Sequence, residues 1–335
     1  MTYLSYSGWK SYVTCPSGYW HNYVNKTKLV NPENGVNSLF GSTVGVVFEH
    51  FYRDRIFRRP DYLATLHGLA EGTLNKAISD QIKQGRVVNW SDEKSNYPKE
   101  KAGLTANQAV QVGRQELLQD VSVAIANGVN TIRTHKFVGP MMEAEMKLDA
   151  RFGPHTMGGR SDFVIQRVPP FSDVVIIDGK GSKHRDKYVD GKPRKKGEPI
   201  EGIQLKWYAV LYREKYKRTP DALAYIFWRF SGDQAVDWVP FTENDLNLLK
   251  EEVMATIKRI DRSVAHLEAT AGTQSRTELR EELFPTQPGH HCTLCAYVEV
   301  CPDGEKYVSQ FEARKRRVKI TLPVGVTELS LGLDD

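Results

Sequence analysis

Two aspartates and a lysine in the middle of the sequence are the residues best suited to chemistry. Asp162 lies in the segment GGRSDFV, and Asp178 and Lys180 lie at the end of VVIIDGKGS. Residues two apart in a strand point to the same face, so Asp178 and Lys180 can enter one cleft. Two carboxylates from neighbouring strands can bind Mg²⁺ or Mn²⁺, and an ammonium beside them can orient a water molecule or stabilise a phosphorane-like transition state. The set predicts metal-dependent hydrolysis of a phosphodiester, although D-G-K taken alone is also an ordinary turn.

The segments around these residues predict an α/β fold. Strands are expected at MMEAEMKLDARF, GRSDFVIQRV and DVVIIDGKGS, and the β-branched run at 174–177 is typical of a buried central strand. A helix beginning near Ile203 leads to a further strand, DALAYIFWRF, and residues 242–270 form a long amphipathic helix. Before residue 135 the pattern is helical, over STVGVVFEHFYRDRIF and over residues 62–130, where the last helix closes on Gly128 as a C-cap.

We predict a single domain over residues 1–310, followed by a basic and then acidic tail at 311–335. Residues 1–134 are its mainly helical part, which includes Cys15. Residues 135–240 form the catalytic α/β core, and residues 241–310 supply a helix and a cysteine-rich segment. The tail is expected to be loosely held.

Composition favours a protein of the cytoplasm with a polyanionic partner. Apolar residues make up 40% and charged residues 26% of the 335 residues, and the net charge is +5. No apolar run approaches the roughly 18–20 residues needed to cross a bilayer, and the first residues lack the pattern of a secretory signal. In a reducing compartment disulfides are rare, and clustered cysteines more often hold a metal.

The cysteines form an unusual set, with three thiols close together and one far upstream. Cys292, Cys295 and Cys301 have the spacing C-x2-C-x5-C, and Cys15 precedes a proline near the opposite end. Four thiolates are an ordinary zinc set, and His290 and His291 are spare ligands, but zinc ribbons normally show two C-x2-C pairs. An iron–sulfur cluster also takes four thiolates, so the residues alone leave both metal sites open.

The motifs together resemble the PD-(D/E)XK nuclease superfamily, in its RecB-like branch. Its members share a G-R-x-D strand, a D-x-K strand end and a Q-x-x-x-Y helix, and the third motif is matched by Gln204 and Tyr208 in QLKWY. The resemblance implies a restriction-endonuclease-like core, a central mixed sheet flanked by helices. It also implies that both acids bind Mg²⁺ or Mn²⁺ and that the lysine acts in catalysis. The catalytic residues implied are Asp162, Asp178, Lys180, Gln204 and Tyr208.

Further metal ligands follow from the same resemblance. The backbone carbonyl after the second acid, here Gly179, binds metal in the family. Members usually carry a G-x-x-x-H histidine on an N-terminal helix, but Gly45 is followed at that spacing by Glu49, with His50 one residue later. Either can complete the shell, since a carboxylate is an acceptable ligand. Glu143 and Glu145 are weaker candidates, which we assign to structure.

The cysteine pattern resembles RecB-like nucleases with an iron–sulfur cluster, such as those of AddAB-type helicase-nucleases and CRISPR-associated proteins. There one N-terminal and three C-terminal cysteines hold a [4Fe–4S] cluster that clasps the ends of the nuclease domain. The resemblance therefore implies a cluster on Cys15, Cys292, Cys295 and Cys301, and a C-terminal segment stapled to the fold.

The partner predicted by resemblance and charge is DNA, as single strands or ends, with exonuclease action in recombination, repair or DNA processing. A Lys-rich loop directly after the D-x-K strand could neutralise several phosphates. Its candidate DNA-binding residues are Lys183, Arg185, Lys187, Arg194, Lys195 and Lys196. No Walker A loop appears, so a helicase or recombination partner would be a separate chain.

Two other functions remain open at this point. A DNA-binding scaffold that keeps the nuclease fold without cutting would explain the missing family histidine. A zinc-stapled regulatory protein would explain the cysteines.

Overall fold

A computed structural model gives the fold. It describes residues 2–26, 36–83, 88, 90, 97–100, 102–167, 173–182, 188–189, 192–193, 201–270 and 276–321. The chain divides into two compact units. The first, the terminal unit, contains Met1–Val30 and Glu252–Asp335, and the second, the sheet unit, contains Asn31–Glu251.

Helices and strands alternate along the central part of the chain as the sequence predicts. In chain order the elements are β1 (Tyr3–Ser5), α1 (Tyr6–Thr14), α2 (Pro16–Tyr19), α3 (Val36–Arg53), α4 (Tyr62–Lys83), α5 (Ala106–Thr134), β2 (Met141–Phe152), β3 (His155–Gln166), β4 (Val174–Lys180), β5 (Tyr188–Val189), β6 (Lys192–Pro193), α6 (Ile203–Tyr216), β7 (Ala222–Phe227), β8 (Val236–Trp238), α7 (Glu243–Ala269), α8 (Arg276–Leu283) and α9 (Pro302–Thr321).

The sheet unit is built on a mixed sheet with the order β2–β3–β4–β7–β8. The pairs β2–β3, β3–β4 and β7–β8 are antiparallel, and β4–β7 is parallel. The parallel pair needs a crossover, and α6 provides it. The predicted mixed α/β fold with a central sheet is therefore confirmed.

Helices cover the sheet because each carries an apolar stripe. Val44, Val47, Phe48 and Phe51 of α3 are at most 2% exposed and belong to one core with residues of α4, α5 and the strands. The strand residues of this core alternate along the chain, as at Phe163, Ile165, Val175 and Ile177. Strand β4 is thus held by apolar packing, and its polar residues come only at its end.

The predicted C-cap at Gly128 is wrong. Helix α5 continues through this glycine to Thr134 and is capped at its start by Thr105 and Gln108. A Cβ on Gly128 would lie 2.2 Å from Cζ of Phe48 and 3.0 Å from Cε3 of Trp228. The glycine is there because α5 packs closely on two aromatic rings, a tertiary reason that local sequence does not show.

The C-terminal boundary also differs from expectation. The predicted tail begins at residue 311, but α9 runs on to Thr321, so its basic part is helical, and residues 322–335 lie outside the described part. Across the described residues, no helix is both long enough and apolar enough to span a bilayer.

Candidate functional site

The pairing of β3 with β4 brings Asp162, in the middle of β3, beside Asp178 near the end of β4. Phe163 pairs with Ile177 in the antiparallel register, so the next positions along both strands are the two aspartates. The backbone N–H of Gly179 donates to Oδ2 of Asp162 at 2.8 Å, which ties the two strands together at this point. The sheet thus places two acids at one spot, as the sequence predicts for a pair of metal ligands.

The environment of the pair is costly for negative charge. Asp178 is 3% exposed. Burial and the neighbouring charge of Asp178 raise the pKa of Asp162 to about 8, although Gly179 and Lys180 oppose the shift. A buried and a half-buried carboxylate that repel each other are stabilised by a cation between or beside them.

Lys180, Gln204 and Tyr208 form a chain of contacts that starts at Asp178. The ammonium of Lys180 lies 2.6 Å from Oδ2 of Asp178 and donates to Oε1 of Gln204 at 3.0 Å. The amide of Gln204 in turn donates to the hydroxyl of Tyr208 at 3.1 Å. Gln204 and Tyr208 are one turn apart on α6, so the helix presents both to the strand end. Burial raises the pKa of Tyr208, which stays a neutral phenol.

Glu145 lies beside the two aspartates, although we predicted only a structural role for it from the sequence. The β2–β3 register on both sides of it places Glu145 opposite Asp162. Burial and the negative charges of Glu49 and Asp178 raise its pKa, while Arg160 opposes them. The sequence could have predicted this position. Pairing the residues of β2 and β3 one by one outward from the turn at 153–154 places Glu145 opposite Asp162.

Helix α3 brings Glu49 and His50 to different surroundings. Arg53 contacts the carboxylate of Glu49, which is near enough to Glu145 to raise its pKa. The ring of His50 instead has its Nδ1 atom 2.6 Å from Asp54. Of these two residues, Glu49 is therefore the one that adds negative charge to the acidic group. This group consists of Glu49, Glu145, Asp162 and Asp178.

A pair of consecutive residues after β7 clamps the end of β4. The indole of Trp228 fills the space above Gly179, where a Cβ would lie 2.5 Å from Nε1. The guanidinium of Arg229 donates to the carbonyl of Gly181 at 2.9 Å and pairs with Asp120 of α5 at 3.2 Å. This clamp fixes the backbone at Gly179 and Gly181, on both sides of Lys180. No short sequence motif predicts the clamp.

The predicted DNA-binding residues of the Lys-rich loop lie outside the described residues. They are Lys183, Arg185, Lys187, Arg194, Lys195 and Lys196. Within the described part, no three His, Cys, Asp or Glu side chains converge closely enough to hold a single ion.

All four cysteines belong to the terminal unit. All four are free thiols. Burial raises the pKa of the Cys295 thiol, and the charges of the other three cysteines add to the shift, but no three of these four described side chains converge closely enough to hold a single ion. Backbone N–H groups of Gly289, Tyr297 and Gly304 donate to the sulfurs of the three C-terminal cysteines, each at 3.4 Å.

The first and last parts of this unit also bind each other directly. The hydroxyl of Tyr297 donates to Asn22 at 2.6 Å, and its ring stacks on His21 at 4.8 Å between centroids. The N–H of Ser17 donates to the carbonyl of Pro285 at 3.2 Å. The cysteine group therefore sits where the two terminal segments meet.

Comparisons with known proteins place the chain in a family. A solved structure described as the crystal structure of SSO0001 aligns over 88% of this chain and 95% of its own, at 14% identity and a TM-score of 0.27, which is too low to carry an argument. Among curated proteins, none matches the chain. The model of the PD-(D/E)XK nuclease superfamily matches residues 3–302, nearly the whole length. The chain therefore belongs to the PD-(D/E)XK nuclease superfamily.

Proposed function

We propose that the protein is a metal-dependent deoxyribonuclease of the RecB-like type. It acts as an exonuclease on single-stranded DNA or DNA ends, in recombination, repair or DNA processing, with any helicase or recombination partner in a separate chain. The observation that carries the proposal is the meeting of Asp162, Asp178 and Lys180 on two adjacent strands. Family membership supports the assignment as a nuclease. The RecB-like type, the DNA substrate and the exonuclease action are inferred from the residues and motifs of the sequence.

The residues present fit a hard divalent cation. The raised pKa of Asp162 and the burial of Asp178 describe two neighbouring carboxylates whose repulsion the single ammonium of Lys180 offsets only in part, and carboxylate oxygen is what Mg²⁺ and Mn²⁺ prefer. Asp162, Asp178 and the carbonyl of Gly179 would hold the ion, with Glu49 rather than His50 as the ligand from α3. When bound, the ion supplies Lewis-acid stabilisation of the charge that develops on the phosphate.

Lys180 has the geometry of the residue that orients the attacking water. Its ammonium is fixed on one side by Asp178 and on the other by Gln204. Tyr208 holds the amide of Gln204 in turn, so the direction of the lysine is set through two hydrogen bonds. A donor fixed in this way stabilises developing negative charge without having to reorganise during the reaction.

The test is cleavage of end-labelled single-stranded and double-stranded oligonucleotides in Mn²⁺ and in EDTA. Asp178→Asn and Lys180→Met should each lower the single-turnover rate by about 10²–10⁴-fold, the usual effect of removing a positioned catalytic group. Asp233→Asn is the control, because its carboxylate is 91% exposed, and it should cut at the wild-type rate. Normal cleavage by either site variant would refute the assigned roles.

A non-cleaving scaffold is the alternative that the same assay addresses. It predicts that the wild-type protein binds DNA equally in Mn²⁺ and in EDTA and cuts in neither. The presence of both acids and the lysine together favours the nuclease.

We propose that the four cysteines hold a [4Fe–4S] cluster. Four thiols that interact electrostatically provide the ligand number, and backbone N–H bonds to three sulfurs stabilise thiolate ligands. The cluster would staple the terminal segments, restricting the unfolded chain as a long loop closure does. Its ligands would be Cys15, Cys292, Cys295 and Cys301.

Anaerobic purification with iron, sulfide and zinc analysis tests the cluster. We expect a brown protein with about four irons and four sulfides per chain, both lost on Cys15→Ala. One zinc per chain and no colour would contradict the cluster and identify a zinc site. This outcome is independent of the cleavage assay.

A further inference from the structure

We propose that Arg160 binds the backbone phosphate of the DNA strand beside the catalytic acids. The inference rests on the proposed nuclease function and adds the substrate contact that the described residues provide. The residue lies in the GGRSDFV segment, where the two aspartates and the lysine account for the chemistry but not for how a polyanion is held near them.

Position on the strand directs Arg160 to the site. It precedes Asp162 by two residues on β3, so both side chains leave the strand on one face, about 6.6 Å apart along its axis. Its guanidinium lies 3.4 Å from Oε2 of Glu145, the residue opposite Asp162. The arginine therefore borders the acidic group and does not point away from it.

The side chain of Arg160 is more exposed than those of Asp178 and Lys180, and it has one long ion-pair contact. Its side chain is 66% exposed, and its partner Glu145 is 39% exposed. The contact joins one Nη atom to one carboxylate oxygen, whereas a guanidinium can offer two parallel donors to a phosphate. An exposed pair of this kind contributes little, so a phosphate can replace the carboxylate as its partner.

Neighbouring cations are committed to other acids. The ammonium of Lys180 contacts Asp178 and Gln204, and Arg53 contacts Glu49. Across the hairpin from Arg160, Lys147 pairs with Asp149 at 3.1 Å. Arg160 has one long ion-pair contact, to Glu145, so it can turn towards a ligand at the loss of that contact alone.

The acidic group needs such a residue. Glu49, Glu145, Asp162 and Asp178 together repel a DNA strand, and a divalent ion offsets only part of their charge. An arginine at the rim supplies a local positive charge and a geometry that matches phosphate oxygens. Glu145 would then act as a positioning residue that keeps the guanidinium near the acids before DNA binds.

The experiment measures DNA binding in EDTA, where the proposed nuclease does not cut. Dissociation constants of a labelled single strand are determined over a salt series for wild type, Arg160→Gln, Arg160→Lys and Arg151→Gln. Arg151 is the control because it is an exposed arginine on the same hairpin, at the far end beside the turn. Urea unfolding verifies that all variants are folded.

We expect Arg160→Gln to weaken binding about tenfold and to reduce the slope of log K against log salt by about 0.7, the value for one contact to a single strand. Arg160→Lys should restore the slope but only part of the affinity, because the charge returns without the bidentate geometry. Arg151→Gln should match wild type. Equal slopes and affinities for Arg160→Gln and wild type would overturn the inference.

The nuclease proposal and this inference fail in distinguishable ways. If the wild-type protein binds DNA but never cuts it in Mn²⁺, the nuclease proposal is refuted. The binding measurements in EDTA still decide whether Arg160 contacts a phosphate. Wild-type protein that cuts, with Arg160→Gln unaffected in binding and in single-turnover saturation, refutes only the contact.

Discussion

Replacing Gly179 with alanine should disable the site through a single methyl group. The Cβ would lie 2.5, 2.6 and 2.8 Å from three atoms of the Trp228 indole, all shorter than real Cβ contacts. The ring cannot move aside easily, because it is 2% exposed and stacked on Phe48 with centroids 4.2 Å apart. The backbone of β4 must therefore shift instead.

The size of the effect follows from these contacts. Overpacking a filled core costs about 1–3 kcal/mol, and three short contacts with a fixed ring place Gly179→Ala in the upper part of that range. A shift of about 1 Å restores normal van der Waals separation, and a displacement of that size costs about 10²-fold in rate. The shift reaches all three residues of the proposed catalytic set, since Gly179 binds Asp162 and lies between Asp178 and Lys180.

Urea unfolding and single-turnover cleavage measure the two effects. Adding Trp228→Leu to Gly179→Ala removes the opposing ring, and we expect it to recover part of the lost rate, although Trp228→Leu alone lowers stability by opening a cavity. The reasoning is refuted if Gly179→Ala unfolds at the wild-type urea concentration and cuts at the wild-type rate.

Two further predictions concern the sheet unit. Gly128→Ala should destabilise it by about 1–3 kcal/mol, because the new methyl group clashes with Phe48. Gly45→Ala in α3 meets open space and should stabilise it by about 0.5–1 kcal/mol, because alanine is the better helix former. Urea unfolding of the two variants measures both changes. Asp173→Asn should cost about 3 kcal/mol at pH 7, because it leaves the buried Arg167 without its paired carboxylate. Arg167 holds the pKa of Asp173 below its ordinary value of 3.8, so this stabilisation is complete above that value and is lost as the pH falls through the folded pKa. The difference between wild type and Asp173→Asn should shrink in acid.

The local sequence predicts the strands and the positions of the two paired acids. The β-branched run at 174–177 indicates a buried strand, and its polar end follows at once, so the positions of Asp178 and Lys180 could be predicted. The resemblance added Gln204 and Tyr208, and the structure brings Gln204 into contact with the lysine and Tyr208 into contact with Gln204.

What could not be predicted depends on packing between distant segments. Gly128 has the chemistry of a cap, and only the rings of Phe48 and Trp228 make it a helix-interior residue. The surroundings of Glu49 and His50 depend on the rotation of α3 about its axis, which no spacing rule fixes. The Arg229 clamp joins β4 to α5 across more than a hundred residues, and a single sequence contains no sign of it.

Cleavage of one end-labelled single strand by wild-type and Asp178→Asn protein, titrated with Mn²⁺ under single-turnover conditions, tests the central claim most directly. The account predicts that wild type cuts only when the ion is added and that Asp178→Asn cuts at least a hundredfold more slowly at saturating ion. Cleavage in EDTA, or equal rates for the two proteins, would contradict it.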